Sequence, residues 1–309
     1  MKEIKTSAIV GMGALGMMYG RVIQDHVGKE NFFFAMDKAR FEKYNDKENI
    51  LNGEPYMFSK RSEGDLIPVD LVVVSVKYPS LDEALKIIRP LIKEDTIIMS
   101  VMNGISSEEI LADNFGKDHL IYTIGQGMDS MNIAGELKYT KMGHIHIGVP
   151  ADASDIQKGN LRGVASFFEK IEMPYVLEDD IMYRMWAKFM LNVGINQTCM
   201  VFGAGYGSVI EDDSIEKAIF VGAMREVILV AEKEGIHLSE DDINSYIDLM
   251  ATLAPDNTPS MAQDRINKKP SEVEAFAGTV RKLAAKHGIN VPANDYLYKR
   301  VYEIEKEYL

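Results

Sequence analysis

The chain has 309 residues, enough for one large or two ordinary domains with a sizeable core. Its formal net charge of −13 argues against a nucleic-acid or anionic-membrane binder, because phosphate recognition relies on Lys and Arg surfaces. The single cysteine, Cys199, rules out an internal disulfide and fits a reducing, cytoplasmic compartment.

The first residues, MKEIKTSAIVGMGALG, lack the cleavage pattern of a signal peptide and lead from a short apolar run, SAIV, into glycines. Gly11-Met12-Gly13-Ala14-Leu15-Gly16 has the G-x-G-x-x-G spacing between a strand-like and a helix-like stretch. Gly11 suits a tight turn, Gly13 lets backbone approach a pyrophosphate, and Gly16 lets the helix pack on the strand. Backbone N–H groups at the helix start then hold phosphate. The alternative is a glycine turn with no ligand.

A second β-rich run, FFFAM, ends at Asp37-Lys38-Ala39-Arg40. An acid there binds the ribose hydroxyls of NAD, whereas Lys38 and Arg40 suit the extra phosphate of NADP. As solvated loop charges they would do neither. Further β-rich runs follow at residues 71–76 (LVVVSV), closed by Lys77, at 96–101, followed by Asn103, and at 120–123, with a helical pattern at Leu81–Ile88 between. Strands alternating with helices predict a mostly parallel sheet covered on both faces. The HIHIG run alternates and reads as a more exposed strand. Its two histidines share a face, but no third metal ligand stands at a recognised spacing, so no metal is expected.

After about Asp180 strand-like runs vanish. The expected division is therefore a dinucleotide-binding domain over 1–180 and an all-helical substrate domain over 181–309. The Ile181–Phe202 stretch is too interrupted by polar residues to span a membrane. Helices are predicted from Ser214 to a stop at Gly235, from Ser239 with Asp242 as capping partner, and from Ser271 with Glu274 as capping partner and Gly288 as stop. Lys188, Asn192 and Asn196 recur at a spacing of four and share one narrow helix face. Such a stripe is often simply solvated. Asparagine is a poorer helix former than Glu or Lys, which favours a cleft lined with hydrogen-bonding groups.

The segment W-A-K-F-M-L-N-V-G-I-N from Trp186 to Asn196, the segment N-T-P-S-M-A-Q-D from Asn257 to Asp264, the acid Glu272 downstream and the glycine turn stand in an order that resembles the ketopantoate reductases (2-dehydropantoate 2-reductases). The resemblance implies a Rossmann domain followed by a helical domain with the active site between them. It also implies reduction of the 2-keto group of ketopantoate to pantoate, a step of pantothenate biosynthesis, normally with NADPH. By position it makes Lys188 the catalytic lysine and Glu272 its supporting acid. Asn192, Asn196, Asn257 and Ser260 would bind substrate, and Lys77 and Asn103 would join the glycine turn around the cofactor. The chain departs from the pattern at Tyr206-Gly207, where family members often carry Asn-Gly, and at Asp37, which keeps NAD open as cofactor. A dehydrogenase of another small 2-keto or hydroxy acid, and a dinucleotide-binding sensor without catalysis, are the rival readings. A small anionic keto acid is the expected partner, nucleic acid and membrane are not, and a homodimer stays open.

Overall fold

The computed structural model describes residues 2–133 and 136–309. The chain divides into two compact units, Met1–Asn103 with Ser107–Ile181, and Gly104–Ser106 with Met182–Leu309. In the first, β1 (Ser7–Val10) leads through the glycine turn into α1 (Ala14–Val27), and β2 (Phe32–Met36) into α2 (Lys38–Tyr44). Three short strands follow, β3 (Asn49–Leu51), β4 (Glu54–Tyr56) and β5 (Lys60–Ser62), then β6 (Leu71–Val74), α3 (Leu81–Ile88), β7 (Ile97–Ser100) and α4 (Ser107–Phe115). The unit continues with β8 (Leu120–Gln126), β9 (Met131–Ile133), β10 (Glu136–Lys138), β11 (His144–Gly148), α5 (Asp155–Lys170) and β12 (Tyr175–Leu177).

Eight of these strands form one sheet in the order β12-β11-β8-β7-β6-β1-β2-β5. Its pairs are parallel except β11 against β8. The other four make a small separate sheet, β4-β3-β10-β9. Alternate residues of β1 serve opposite faces of the large sheet. Ile9 packs with Met17 and Ile23 of α1 and Phe168 of α5, while Ala8 and Val10 pack with Ala84 and Ile88 of α3 and Leu111 of α4. Coverage on both sides is why β1, β2, β6 and β7 are apolar without alternation.

Asp70 ties the start of this sheet together. Its carboxylate accepts the backbone N–H groups of Lys5 and Thr6 at 2.9 Å each, and the Lys93 ammonium at 2.6 Å. Burial would raise this carboxyl, but those donors outweigh it and hold it down at about 2.

The HIHIG strand is not the exposed element its alternation predicts. β11 runs between β8 and β12, and only His144 is exposed. His146 is buried with its Nδ1 2.5 Å from Glu178 Oε1, so the polar residue has a partner inside the fold. A period of two cannot distinguish a solvated face from one covered by a loop that brings its own acid.

The second unit is helical: α6 (Ile181–Phe202), α7 (Ile215–Lys233), α8 (Glu240–Ala251), α9 (Ser260–Ile266), a π-helical turn at Glu274–Gly278, α10 (Thr279–His287) and α11 (Pro292–Glu305). Ser214 caps α7, and Ser239 with Asp242 forms the capping box of α8. The capping box expected at Ser271 is absent. The Ser271 N–H donates to Glu305 Oε1 at 2.6 Å, and Glu274 Oε1 accepts the hydroxyls of Tyr298, at 2.7 Å, and Tyr302. Partners from α11 replace the local pairing, and regular helix begins only after the π turn. None of the described helices is long and apolar enough to cross a membrane.

Candidate active site

The glycine turn is shaped by close backbone approach. Gly11 has φ +108°, and a Cβ on it would lie 2.3 Å from the carbonyl oxygen of Ser75, at the end of the neighbouring β6. A Cβ on Gly16 would lie 2.1 Å from the Gly11 oxygen, so α1 can start where it does only with hydrogen there. Gly13 is different: an added Cβ would meet nothing within 4 Å. Backbone around Gly13 is therefore bare on its outer side, at the start of a 14-residue helix whose first N–H groups carry the positive end of the dipole.

This turn walls one side of a cavity of about 660 Å³. Gly11, Met12 and Gly13 line it together with Asp37, Arg40 and Lys77. Ala14 and Leu15 pack against the core instead, and Gly16 serves the packing of α1. Lys38 lies outside the wall, its side chain 74% exposed and 4.0 Å from Glu42. Asn103 follows β7 at the carboxyl end of the sheet, also outside the wall.

Asp37 and Arg40 are joined. Asp37 caps α2, its Oδ1 accepting the Arg40 N–H at 2.8 Å, and its Oδ2 accepts the Arg40 guanidinium at 2.5 Å. Partial burial works against this carboxylate, but Arg40 prevails and keeps it below the usual carboxylate range. The wall also includes Tyr44, Asn49 and Glu63, which sequence reasoning missed. Glu63 follows β5, whose sequence KRS has no apolar run to mark it as a strand.

In the helical unit, the stripe on α6 runs from half-buried Lys188 and Asn192 to Asn196, which is 4% exposed. Asn196 donates its amide to Asn192 Oδ1 at 3.3 Å. Its own Oδ1 accepts the Ser260 hydroxyl at 2.9 Å and the Met261 N–H at 3.2 Å. Those two donors fix which end of the Asn196 amide is oxygen. The structure thus connects Asn192, Asn196 and Ser260 in one string. Glu272 is 5% exposed, just before the π turn.

Gln197, the neighbour of the stripe, was missed. It is fully buried, and its Oε1 accepts the Ala277 N–H at 3.1 Å, holding the π turn against α6. A fully buried amide on an apolar helix is a signal only when its partner is known.

Asn257 is exposed, on the segment before α9. Its carbonyl accepts the Tyr206 N–H at 3.0 Å, and the Pro255 carbonyl accepts the Gly207 N–H at 2.9 Å. A Cβ on Gly205 would lie 2.4 Å from the Pro255 oxygen, which accounts for small residues in GAGYG. Tyr206 therefore stands beside Asn257, and burial raises its phenol.

Two family profiles match the chain: "Ketopantoate reductase PanE/ApbA" over residues 7–152 and "Ketopantoate reductase PanE/ApbA C terminal" over residues 180–305. The chain belongs to the ketopantoate reductase family. It is thereby an oxidoreductase of the 2-dehydropantoate 2-reductase type. The 2-dehydropantoate 2-reductase of Aquifex aeolicus is 29% identical over 255 residues, 79% of each chain. That of Nostoc sp. is 24% identical over 302 residues, 95% of this chain and 93% of its own. Among solved structures, the fold is shared with a 2-dehydropantoate 2-reductase from Geobacter metallireducens, at 24% identity, TM-score 0.82, covering 96% of this chain and 99% of that one. It is shared equally with a D-mandelate dehydrogenase solved with NADH and anilino(oxo)acetate, at 20% identity, TM-score 0.85, covering 98% and 99%. Fold likeness to ketopantoate reductases and to a mandelate dehydrogenase leaves the choice of keto acid to the residues themselves.

Proposed function

We propose that this chain reduces the 2-keto group of a small keto acid, ketopantoate first, to the 2-hydroxy acid with a reduced nicotinamide dinucleotide. The observation that carries the reading is the string Asn192–Asn196–Ser260 in line with Lys188 on α6. A dinucleotide fits the glycine turn, because Gly11 and Gly16 exclude side chains and Gly13 leaves its backbone bare beside the cavity. Gly11, Met12, Gly13, Asp37 and Lys77 would hold it, and when bound it supplies a hydride to the keto carbon.

Residues of the helical unit do the rest. Lys188 donates a proton to the oxygen on which negative charge develops, and its cation stabilises that charge more in the transition state than in the ground state. Glu272 is the acid that the family resemblance assigns to this lysine, where a carboxylate would favour the charged ammonium. Asn192, Ser260 and Asn257 orient the carboxylate and hydroxyl groups of the acid, and Asn196 fixes the Ser260 hydroxyl. NADPH is the cofactor the family resemblance implies, while Asp37 keeps NADH in play. Tyr206, at a position where family members often carry asparagine, favours a second reading, a 2-keto acid other than ketopantoate. Steady-state oxidation of NADPH and NADH with ketopantoate and a panel of aliphatic and aromatic 2-keto acids tests both. Turnover on none of them, by protein that binds a dinucleotide, would leave a sensor rather than an enzyme.

A further inference from the structure

We propose that Asp37 and Glu63 together make the adenosine-ribose end of the cavity selective for NADH over NADPH. It rests on the dinucleotide reading above and names which dinucleotide. β2 and β5 are parallel neighbours in register, with Phe34 opposite Lys60, Ala35 opposite Arg61 and Met36 opposite Ser62. The residue that follows each strand is an acid, Asp37 after β2 and Glu63 after β5. Adjacent strands lie about 4.8 Å apart, so two carboxyl-bearing residues leave the sheet side by side at its carboxyl end. Both line the cavity. In this fold class the end of the second strand is where the ribose hydroxyls are bound.

A 2′-phosphate there brings roughly 1.5 to 2 negative charges and needs cations. The bases near this corner are engaged elsewhere. Arg40 already bonds Asp37 through its backbone N–H and its guanidinium. Arg61 lies over the Phe33 ring, 4.6 Å from its centroid. Lys60 donates to the carbonyls of Asn45 and Lys47 at 3.3 and 3.0 Å. Lys38 is turned to Glu42, and Lys43 and Lys47 reach the ring of Tyr44 at 5.1 and 5.8 Å. The wall holds two further bases, Lys86, which pairs with Glu83 at 2.7 Å, and Lys77, which follows β6, two strands away from β2. Phosphate would therefore meet two carboxylates and one guanidinium that must leave its carboxylate to help. A ribose diol meets the reverse situation. Each oxygen of Asp37 keeps a second lone pair after serving Arg40, so the two hydroxyls can donate to a carboxylate already fixed in place. Arg40 is then a positioning residue for Asp37, not a phosphate clamp.

The test is equilibrium titration of the folded protein with NADH and with NADPH, without keto acid, at fixed ionic strength. Wild type should bind NADH at least tenfold more tightly. Asp37→Asn keeps a side chain able to cap α2, and the double change Asp37→Asn, Glu63→Gln should bring the two dinucleotides to within about threefold. Arg40→Ala should weaken NADH and leave NADPH no weaker than before. Equal or tighter NADPH binding by wild type overturns the proposal, as does a loss in Arg40→Ala confined to NADPH. Binding of neither dinucleotide by folded protein removes the dinucleotide reading itself, and this selectivity with it.

Discussion

The sheet unit and the helical unit build their candidate surfaces from opposite materials. At the glycine turn the surface is backbone, exposed because side chains are missing: a methyl on Gly11 or Gly16 would drive into carbonyl oxygens 2.3 and 2.1 Å away. Along α6 the surface is side chain, and the string from Asn192 through Asn196 to Ser260 works only while each group is present to orient the next. A backbone surface is damaged by atoms added, a side-chain surface by atoms removed. The two regions should therefore fail differently under mutation.

The largest effect is expected where a side chain acts directly on the reaction. Lys188→Ala should lower the turnover number on the preferred keto acid by about 10²–10⁴, the usual contribution of a positioned acid–base group. Dinucleotide affinity, measured by titration without substrate, should stay near that of wild type, and near-normal turnover would return the α6 stripe to a merely polar helix face. For the backbone surface, Gly16→Ala should cost about 3 kcal/mol or more of unfolding free energy in urea, because the clash is with main chain and cannot be relieved by a rotamer. Gly13→Ala sharpens the contrast. Its methyl enters open space, so stability should hold within about 1 kcal/mol while dinucleotide binding falls tenfold or more. Equal destabilisation by the two changes would erase the distinction between a packing glycine and a binding glycine.

A smaller effect separates stability from chemistry. Asp70 titrates in the fold at about 2, below its unfolded value of about 3.9. Its contribution, about 2 kcal/mol, is therefore fully present above pH 4 to 5 and is lost as the pH falls towards 2. Asp70→Asn should reduce stability by about that amount at pH 7 and by little at pH 2, as read from urea unfolding at the two pH values. A constant deficit would mean that its hydrogen bonds do not depend on its charge. The smallest expected change is Ser260→Ala, which removes one link of the string. It should raise KM for the keto acid by about tenfold, roughly 1.4 kcal/mol and typical of a lost hydrogen bond to a charged group, with dinucleotide affinity unchanged.

Much of the architecture was legible because it rests on patterns local in sequence. The apolar strands and α3 at Leu81–Ile88 follow from residue pattern alone, and the helical half after about Asp180 follows from the loss of strand-like runs. What escaped depends on residues far away in the chain. Glu274 looked like a cap because Ser271 stands three residues before it, yet tyrosines of α11 take its carboxylate. His146 looked solvated until Glu178 is placed beside it. Glu63 follows a polar strand of three residues, and only the register of that strand with β2 brings it level with Asp37. At Lys38 and Arg40 the residue types left two cofactors open. The structure gives the two bases unlike surroundings, one turned outward and the other bound to Asp37.

The two rungs between Tyr206 and Asn257 and between Gly207 and Pro255 have a consequence for inheritance and engineering. They couple two loops that are about fifty positions apart in the chain, so neither can drift in length or conformation alone. Both rungs join main-chain atoms, so a side-chain substitution at Asn257 leaves them in place, whereas an insertion or deletion in either loop breaks them. A library that varies side chains at fixed loop length therefore keeps the ladder, except where proline removes the N–H of residue 206 or 207. Changes of length should come in pairs, one in each loop.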